Sequence, residues 1–356
     1  MKLMYGTLGV AMAMIHFSCD NAETERSGKH TENITADEMA EAGKVKAHVD
    51  PIDHEVKDFH RKIREMFRAR DFTGLEKIAK ELRVSRAIWG NGIWKIDSFY
   101  SCMAPANGEN AAAWKLHDEI CREWLKSNPA SITAHSAYAE FLGAYAWEAR
   151  GSGYADTVTD KGYELFGERL AGALEIFAKA RELPEKDPGL YSAAMRVALG
   201  QGWEKADFDR LLDEAHAVEP TYWQFEATRA YSLLPRWYGE PGDWEAFALN
   251  AAARKDGLGN EIYARIVMKQ MRFYDNVFQE TKVEWGRVKD GLKLLRGKYP
   301  QSLEILHRAA FLSAQAEDQE FCKLLIDEIG GRYYQPVWRK PARFVHVRNW
   351  TESGKW

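Results

Sequence analysis

The chain has 356 residues, 46% of them apolar and 29% charged, with a formal net charge of −4. That balance excludes intrinsic disorder and a broadly basic nucleic-acid footprint, and the length suits about two domains or one long array. Four cysteines cannot staple a chain of this size, so packing must hold it, and 13 Trp, 15 Tyr and 16 Phe supply the bulk.

Met1 and Lys2 open the chain with positive charge, and Leu3 to Phe17 follow without any. A charged start, a short apolar run and small residues before a polar stretch form a secretory signal. The run is shorter than the ~20 residues of a spanning helix. Cys19, after Ser18, resembles a bacterial lipoprotein site, although His16 stands where such sites prefer leucine. The expectation is a signal peptide of lipoprotein type over 1–19, lipidated at Cys19; simple secretion and an uncleaved anchor are the alternatives. Asp20 resembles the residue that retains some lipoproteins at the inner membrane. These features place the protein in the bacterial cell envelope, lipid-anchored or periplasmic/secreted, with the N-terminal segment as its membrane contact. Residues 20–53 are polar and read as a flexible tether, with Thr35 as the cap of a short helix over 36–46.

From residue 54 to 338 the sequence predicts a helical-repeat domain. Phe59, Ile63, Met66 and Phe67 share one helical face, as do Leu75, Ile78, Ala79 and Leu82. Helices are expected over 54–69 and 72–85 and near 110–126. Gly90-Asn91-Gly92 reads as the turn of a small hairpin between Ile88 and Phe99. Pro129, Pro188, Pro220, Gly259 and Pro300 then open successive helix pairs at steps of 59, 32, 39 and 41 residues. Steps in the thirties to forties are the period of helix-turn-helix solenoids. The first helices of the pairs (A) are expected over 131–149, 189–199, 221–234, 260–273 and 301–315. Their partners (B) are expected over 162–181, 206–218, 243–254, 284–297 and 319–329. The fold class is all-α, an irregular α-solenoid of antiparallel, tetratricopeptide-like helix pairs, with an (α/α) toroid as the alternative. The remainder, 339–356, reads as a basic, aromatic tail whose rings dock on the last pair.

Several phrases stand out: Gly92-Ile93-Trp94-Lys95 with Phe99-Tyr100, Ala144 to Tyr154, Glu185-Lys186-Asp187-Pro188, Ala198 to Trp203, and the long Leu233 to Trp244. Together they resemble a bacterial family known as domain of unknown function 4034. The likeness covers roughly residues 55 to 338 and departs at Ala316-Glu317-Asp318, where such proteins tend to have a central glycine. It implies a helical-repeat fold and no activity.

In a stack of A–B pairs all A-to-B loops share one edge. Here those loops are the longer and richer set. They hold Arg150 and Tyr154, Trp203, Arg236 with Trp237 and Tyr238, and Arg272 with Tyr274. Trp, Tyr and Arg are the types enriched at interface hot spots, so these eight residues form the candidate binding edge for a protein or peptide partner. The competing reading is structural: the rings plug gaps between helices, and Asp243 is an N-cap.

No residue pattern calls for a cofactor, a metal or a catalytic group. Dinucleotide and phosphate loops, Cys-x-x-Cys pairs, His-Glu-x-x-His and a serine elbow are all missing. His117 and Cys121, at i and i+4, are a fragment of a zinc site at most and read better as one edge of a half-buried helix. Cys102, Cys121 and Cys322 allow one disulfide, Cys102–Cys121, or buried free thiols. The leading functional reading is a non-catalytic binding module, and the rival is a toroidal enzyme or binder acting on envelope glycans.

Overall fold

The computed structural model describes residues 34–106, 108–151 and 158–356, and every regular element in it is helical. The signal segment with Cys19, the start of the tether and Tyr154 lie outside the described residues. Among the described residues there is no strand, and an isolated parallel bridge joins Ala47 and Tyr333. No helix there is long and apolar enough to cross a membrane.

The chain divides into two units, 59–87 with 94–240, and 34–58 with 88–93 and 241–356. The expected single stretch 54–338 is thus shared between them. Helices α1 (Ala36–Ala42) and α2 (Pro51–Arg68) come first, and α2 crosses the boundary. The first unit continues with α3 (Phe72–Ser85), α4 (Lys95–Ser101), α5 (Ala111–Ser127), α6 (Ile132–Arg150) and α7 (Asp160–Ala180). It ends with α8 (Pro188–Gln201), α9 (Lys205–Val218) and α10 (Gln224–Ser232). The second unit holds α11 (Asp243–Ala253), α12 (Asn260–Gln270), α13 (Val277–Glu280) and α14 (Trp285–Lys298). Its last elements are α15 (Leu303–Gln315), α16 (Gln319–Ile329), α17 (Gln335–Trp338) and α18 (Pro341–Ser353).

Local chemistry sets these limits. Asp187 caps α8 through the Gly189 amide, Pro188 occupies its first turn, and Gly202 ends it in the left-handed conformation. Ser131, Thr159, Ser302 and Asp318 cap α6, α7, α15 and α16 in the same side-chain fashion. Gly242, at φ +99°, precedes α11, so Asp243 is its first residue rather than its cap. Glu317 stands at φ +56° between α15 and α16, in the left-handed region that glycine enters without strain. That is the position where the resembled family tends to have glycine.

Antiparallel pairing of an irregular tetratricopeptide-like solenoid recurs in both units. In the first, α6 packs on α7, α7 on α8, and α8 on α9 and α10; in the second, α11 packs on α12, α12 on α14, α14 on α15 and α15 on α16. The A helices are enclosed and the B helices are not. Eleven of the fourteen residues of α8 are buried against four of the fourteen in α9. Small residues (Ala193, Ala194, Ala198) let neighbours approach α8 closely, whereas α9 offers only the stripe Phe208, Leu211, Leu212 and Ala215.

Buried polar groups tie distant segments within each unit. In the first, Asp187 accepts from Arg83 Nη1 at 2.9 Å, from the Tyr100 hydroxyl at 2.5 Å and from the Gly189 amide at 2.7 Å. It thereby joins α3, α4 and the start of α8. In the second, Asp50 accepts from the Leu303 amide at 2.8 Å.

The short helix expected behind Thr35 is present, and two expectations change: the tether packs against the fold and the tail is helical. The stretch read as tether contributes α1, with Thr35 and Glu38 forming a capping box. Ala42 buries against Ala342 and Val345 of α18, and Glu38 meets His346 at 3.0 Å. The stretch read as tail is mostly α18, where Phe344 and Trp350 are core residues. An apolar face on each helix makes the other worth burying.

Candidate functional site

The loop residues of the first unit form an aromatic plug. Trp237 meets Trp147 edge-on with ring centroids 6.3 Å apart, and Tyr231 at 5.6 Å. Tyr238 lies over Gly202, where an added Cβ would come within 3.0 Å of its hydroxyl. Arg150 is buried with its guanidinium 6.0 Å from the Trp147 ring centroid. Burial makes it a weaker base than usual, opposed by Tyr163, Tyr238 and Tyr231 nearby. The structure therefore brings Arg150, Trp237 and Tyr238 together, and only Tyr238 of the three is well exposed. Arg236 is half-buried beside them. Gly239 folds the loop back so tightly onto the Leu233 backbone that no side chain fits there. For Trp237 the packing role is the one seen, since a ring wedged between two helix-borne aromatics is held as core residues are.

Trp203 faces elsewhere. Its indole N–H donates to Gln201 Oε1 at 2.9 Å, and with Phe177, Arg181, Asp207, Arg210, Leu211 and Glu214 it lines a shallow cleft of about 350 Å3. The charges there are matched: Arg181 holds Glu214 at 2.9 Å and Arg210 holds Asp207.

In the second unit, Tyr274 accepts a hydrogen bond from Trp244 Nε1 at 2.9 Å and is half-buried. Arg272 is exposed, its guanidinium 4.7 Å from the Phe273 ring centroid. Arg265, Lys269 and Arg272 stand at i, i+4 and i+7 along α12 and the 3-10 turn that extends it, Met271–Phe273. Across from them α15 carries Glu304 and Arg308, joined at 3.0 Å. Arg308 Nη1 also donates to the Met268 carbonyl at 3.4 Å. Arg265 is paired with Glu261 at 3.0 Å, and Lys298 reaches the other oxygen of Glu261 at 2.5 Å. The expected hairpin over Ile88 to Phe99 is not formed, since Lys95 already opens α4, but the Gly90-Asn91-Gly92 turn is present, with the Trp89 amide donating to the Ile93 carbonyl at 2.8 Å. It holds Asn91 against this group: Nδ2 donates to Glu304 Oε2 at 3.3 Å, and the carbonyl accepts from Arg265 Nη1 at 3.4 Å. Burial lowers Lys269 to about 8, with Glu304 opposing and Arg308, Arg272 and Arg265 adding to the effect. A charged i, i+4, i+7 row inside an otherwise core-like helix was the sequence signal for this face.

The remaining chemistry-bearing residues are internal. Cys102, Cys121 and Cys322 are buried free thiols, so the Cys102–Cys121 bridge is not formed; burial pushes Cys102 and Cys322 up to about 12. His117 is fully buried rather than at a polar edge, with Nδ1 2.8 Å from the Met103 carbonyl. His307 is equally buried and accepts from Trp338 Nε1 at 2.8 Å. Among the described residues no three His, Cys, Asp or Glu side chains converge as metal ligands would.

No family model matches the chain, and no curated protein or solved structure matches it. The helical-repeat architecture agrees with the fold that the resemblance implies, while the family itself rests on the quoted phrases alone.

Proposed function

We propose that this protein is a non-catalytic protein- or peptide-binding module of the bacterial cell envelope, related to family 4034 and anchored through a lipid on Cys19. The fold class supports this reading. One observation carries it: helices enclosed by their neighbours still present ionic side chains at their rims. Arg196 of α8 pairs with Glu140 of α6, and Arg265, Lys269, Glu304 and Arg308 line α12 and α15. Side chains fixed on packed helices lose little freedom when a ligand arrives, which favours recognition. Tyr238 and Arg272 are the exposed members of the sequence-predicted edge.

The test uses the tagged full-length chain, extracted from its native envelope in detergent. Intact mass of the mature protein reports whether it begins at a lipid-modified Cys19; a chain beginning elsewhere overturns the anchor. Co-purifying proteins are identified by mass spectrometry against a tag-only control, and each is then titrated as a purified component against the wild type and against Tyr238→Ala and Arg272→Ala. Saturable binding supports the module, weakened by either variant if the edge takes part. An absence of any partner that binds as a purified component overturns it.

A further inference from the structure

The cleft beside Trp203 lies within the first unit and is built from consecutive elements. Phe177 comes from the last turn of α7, and Trp203 stands between α8 and α9. From α9 come Asp207, Leu211 and Glu214, which share one helical face at i, i+4 and i+7. Gly202, at φ +65°, ends α8, and the Trp203 amide donates to the Ala198 carbonyl at 3.0 Å, so the ring leaves a fixed backbone. Gln201 holds its indole N–H. Among the described residues no aromatic ring stacks on this half-buried indole. Trp237 is a plug; Trp203 is a platform facing a cleft.

The polar side chains around the platform form two closed pairs. Arg181 Nη2 donates to both oxygens of Glu214 at 2.9 Å, and Arg210 holds Asp207. Two cations against two carboxylates leave the lining without net charge, so it steers no ion of either sign. The four side chains are each 40% exposed or more, within reach of a ligand. A guanidinium has more N–H donors, and a carboxylate more lone pairs, than one such pair consumes. Arg181 is further held over Phe177, 5.6 Å from guanidinium to ring centroid. Exposed ion pairs add little to stability, so packing alone does not account for the arrangement.

Both halves of the cleft ask for one ligand chemistry. The electronegative face of an indole attracts C–H groups, which are slightly positive. Carboxylate and guanidinium planes present acceptors and donors side by side, as adjacent hydroxyls require. A pyranose with equatorial hydroxyls has a flat C–H face and a rim of neighbouring O–H groups. An apolar peptide side chain would satisfy the indole and desolvate the forks without partners. A lone ion would use the forks and ignore the indole. The volume, about 350 Å3, falls at the lower end of the roughly 300–1,000 Å3 typical of small-ligand sites and suits a mono- or disaccharide.

We infer that the Trp203 cleft binds a neutral saccharide, with a pyranose ring stacked on the indole and its hydroxyls shared between the Arg181–Glu214 and Arg210–Asp207 pairs. This site is separate from the edge that holds Tyr238 and Arg272, goes beyond the reading of the protein as a protein- or peptide-binding module, and does not depend on it.

Isothermal titration calorimetry and saturation-transfer NMR test this with the purified full-length protein. Cellobiose and N,N′-diacetylchitobiose are the neutral probes; cellobiouronate and the deacetylated, cationic chitobiose are their charged counterparts. N-acetyl-leucinamide represents a peptide side chain. At least one neutral disaccharide is expected to bind saturably, and its charged counterpart to bind no more tightly. Trp203→Ala should cost about tenfold or more in affinity with an unchanged circular dichroism spectrum, and Trp203→Tyr should restore most of it. Glu214→Ala, an exposed position, should cost about threefold or more.

The inference is overturned if neither neutral disaccharide binds saturably, or if a charged counterpart is preferred. Full affinity in folded Trp203→Ala overturns it as well, and should that variant not fold, full affinity in Glu214→Ala does so. N-acetyl-leucinamide bound in place of either sugar would assign the cleft to a peptide side chain and also overturn it. Each of these failures removes this site and leaves the module reading to its own test.

Discussion

The two regions rich in arginine and large rings solve opposite problems. In the first unit the loop around Trp237 is filled: Trp147, Tyr231 and Tyr238 surround the indole, and Gly239 permits a turn that no other residue fits. In the second unit the rim of α12 and α15 is ionic: Arg265 holds Glu261, Arg308 holds Glu304, and Lys269 stands among Glu304, Arg308, Arg272 and Arg265. Aromatic bulk in the first region reduces exposed apolar surface and so stabilises. In the second, ion pairs take the place of rings at the rim of enclosed helices. Composition alone does not separate them, since both are aromatic- and arginine-rich. What separates them is whether rings or ion pairs occupy the space beside the helices.

The largest effect expected is at the plug. Trp237→Ala should destabilise the protein by about 3 kcal/mol, as truncation of packed aromatics does, read from chemical denaturation. A loss within a few tenths would mean the ring is a surface feature available to a partner, and the contrast between the regions would disappear. Acid gives the next effect. Burial holds His307 near 4 instead of 6.5, and its Nδ1 accepts from Trp338, which a proton would prevent. His60 of the first unit is held near 4 by burial too, with Arg64 adding. Depressed values mean that both groups contribute full stability above 6.5, which is lost as pH falls through 4. The melting temperature should therefore drop across that window, and His307→Gln should flatten the fall.

A smaller gain is expected at Glu317→Gly, about 1 kcal/mol, because the left-handed backbone there strains any residue with a Cβ. Thermal denaturation reads it, and an unchanged or lower melting temperature would show that the Glu317 side chain earns its place. The smallest effect sharpens the comparison most directly. Lys269→Gln should raise stability by a few tenths of a kcal/mol, because burial disfavours the charged form of Lys269. Destabilisation instead would mean that the partners of the ammonium, Glu304 among them, outweigh the burial of its charge.

Much of the fold was legible because its signals are local. Apolar residues three and four apart mark each B helix, and the caps Ser131, Asp187, Ser302 and Asp318 lie one residue before their helices. Less of the candidate site was legible. Long loops with Trp, Tyr and Arg looked like an exposed edge, yet Arg150 and Trp237 turned inward. Whether a loop ring points out or in depends on the gap left between helices, and no spacing records that gap. Arg265 and Lys269 were passed over because α12 reads as a core helix, and a charge in such a helix acquires meaning only from what stands opposite.

The sequence by itself therefore determined the class of architecture, the positions of helix starts and stops, and the pairing into repeats, because capping, glycine turns and helical periodicity act over a few residues. Only the tertiary structure decided the rest. Docking of α1 on α18, the Asp187 tie to Arg83 and Tyr100, and the meeting of Glu304 and Arg308 with the α12 row each join segments far apart in the chain. Such contacts form where burial of one surface rewards burial of another, and that reward exists only once the helices have packed.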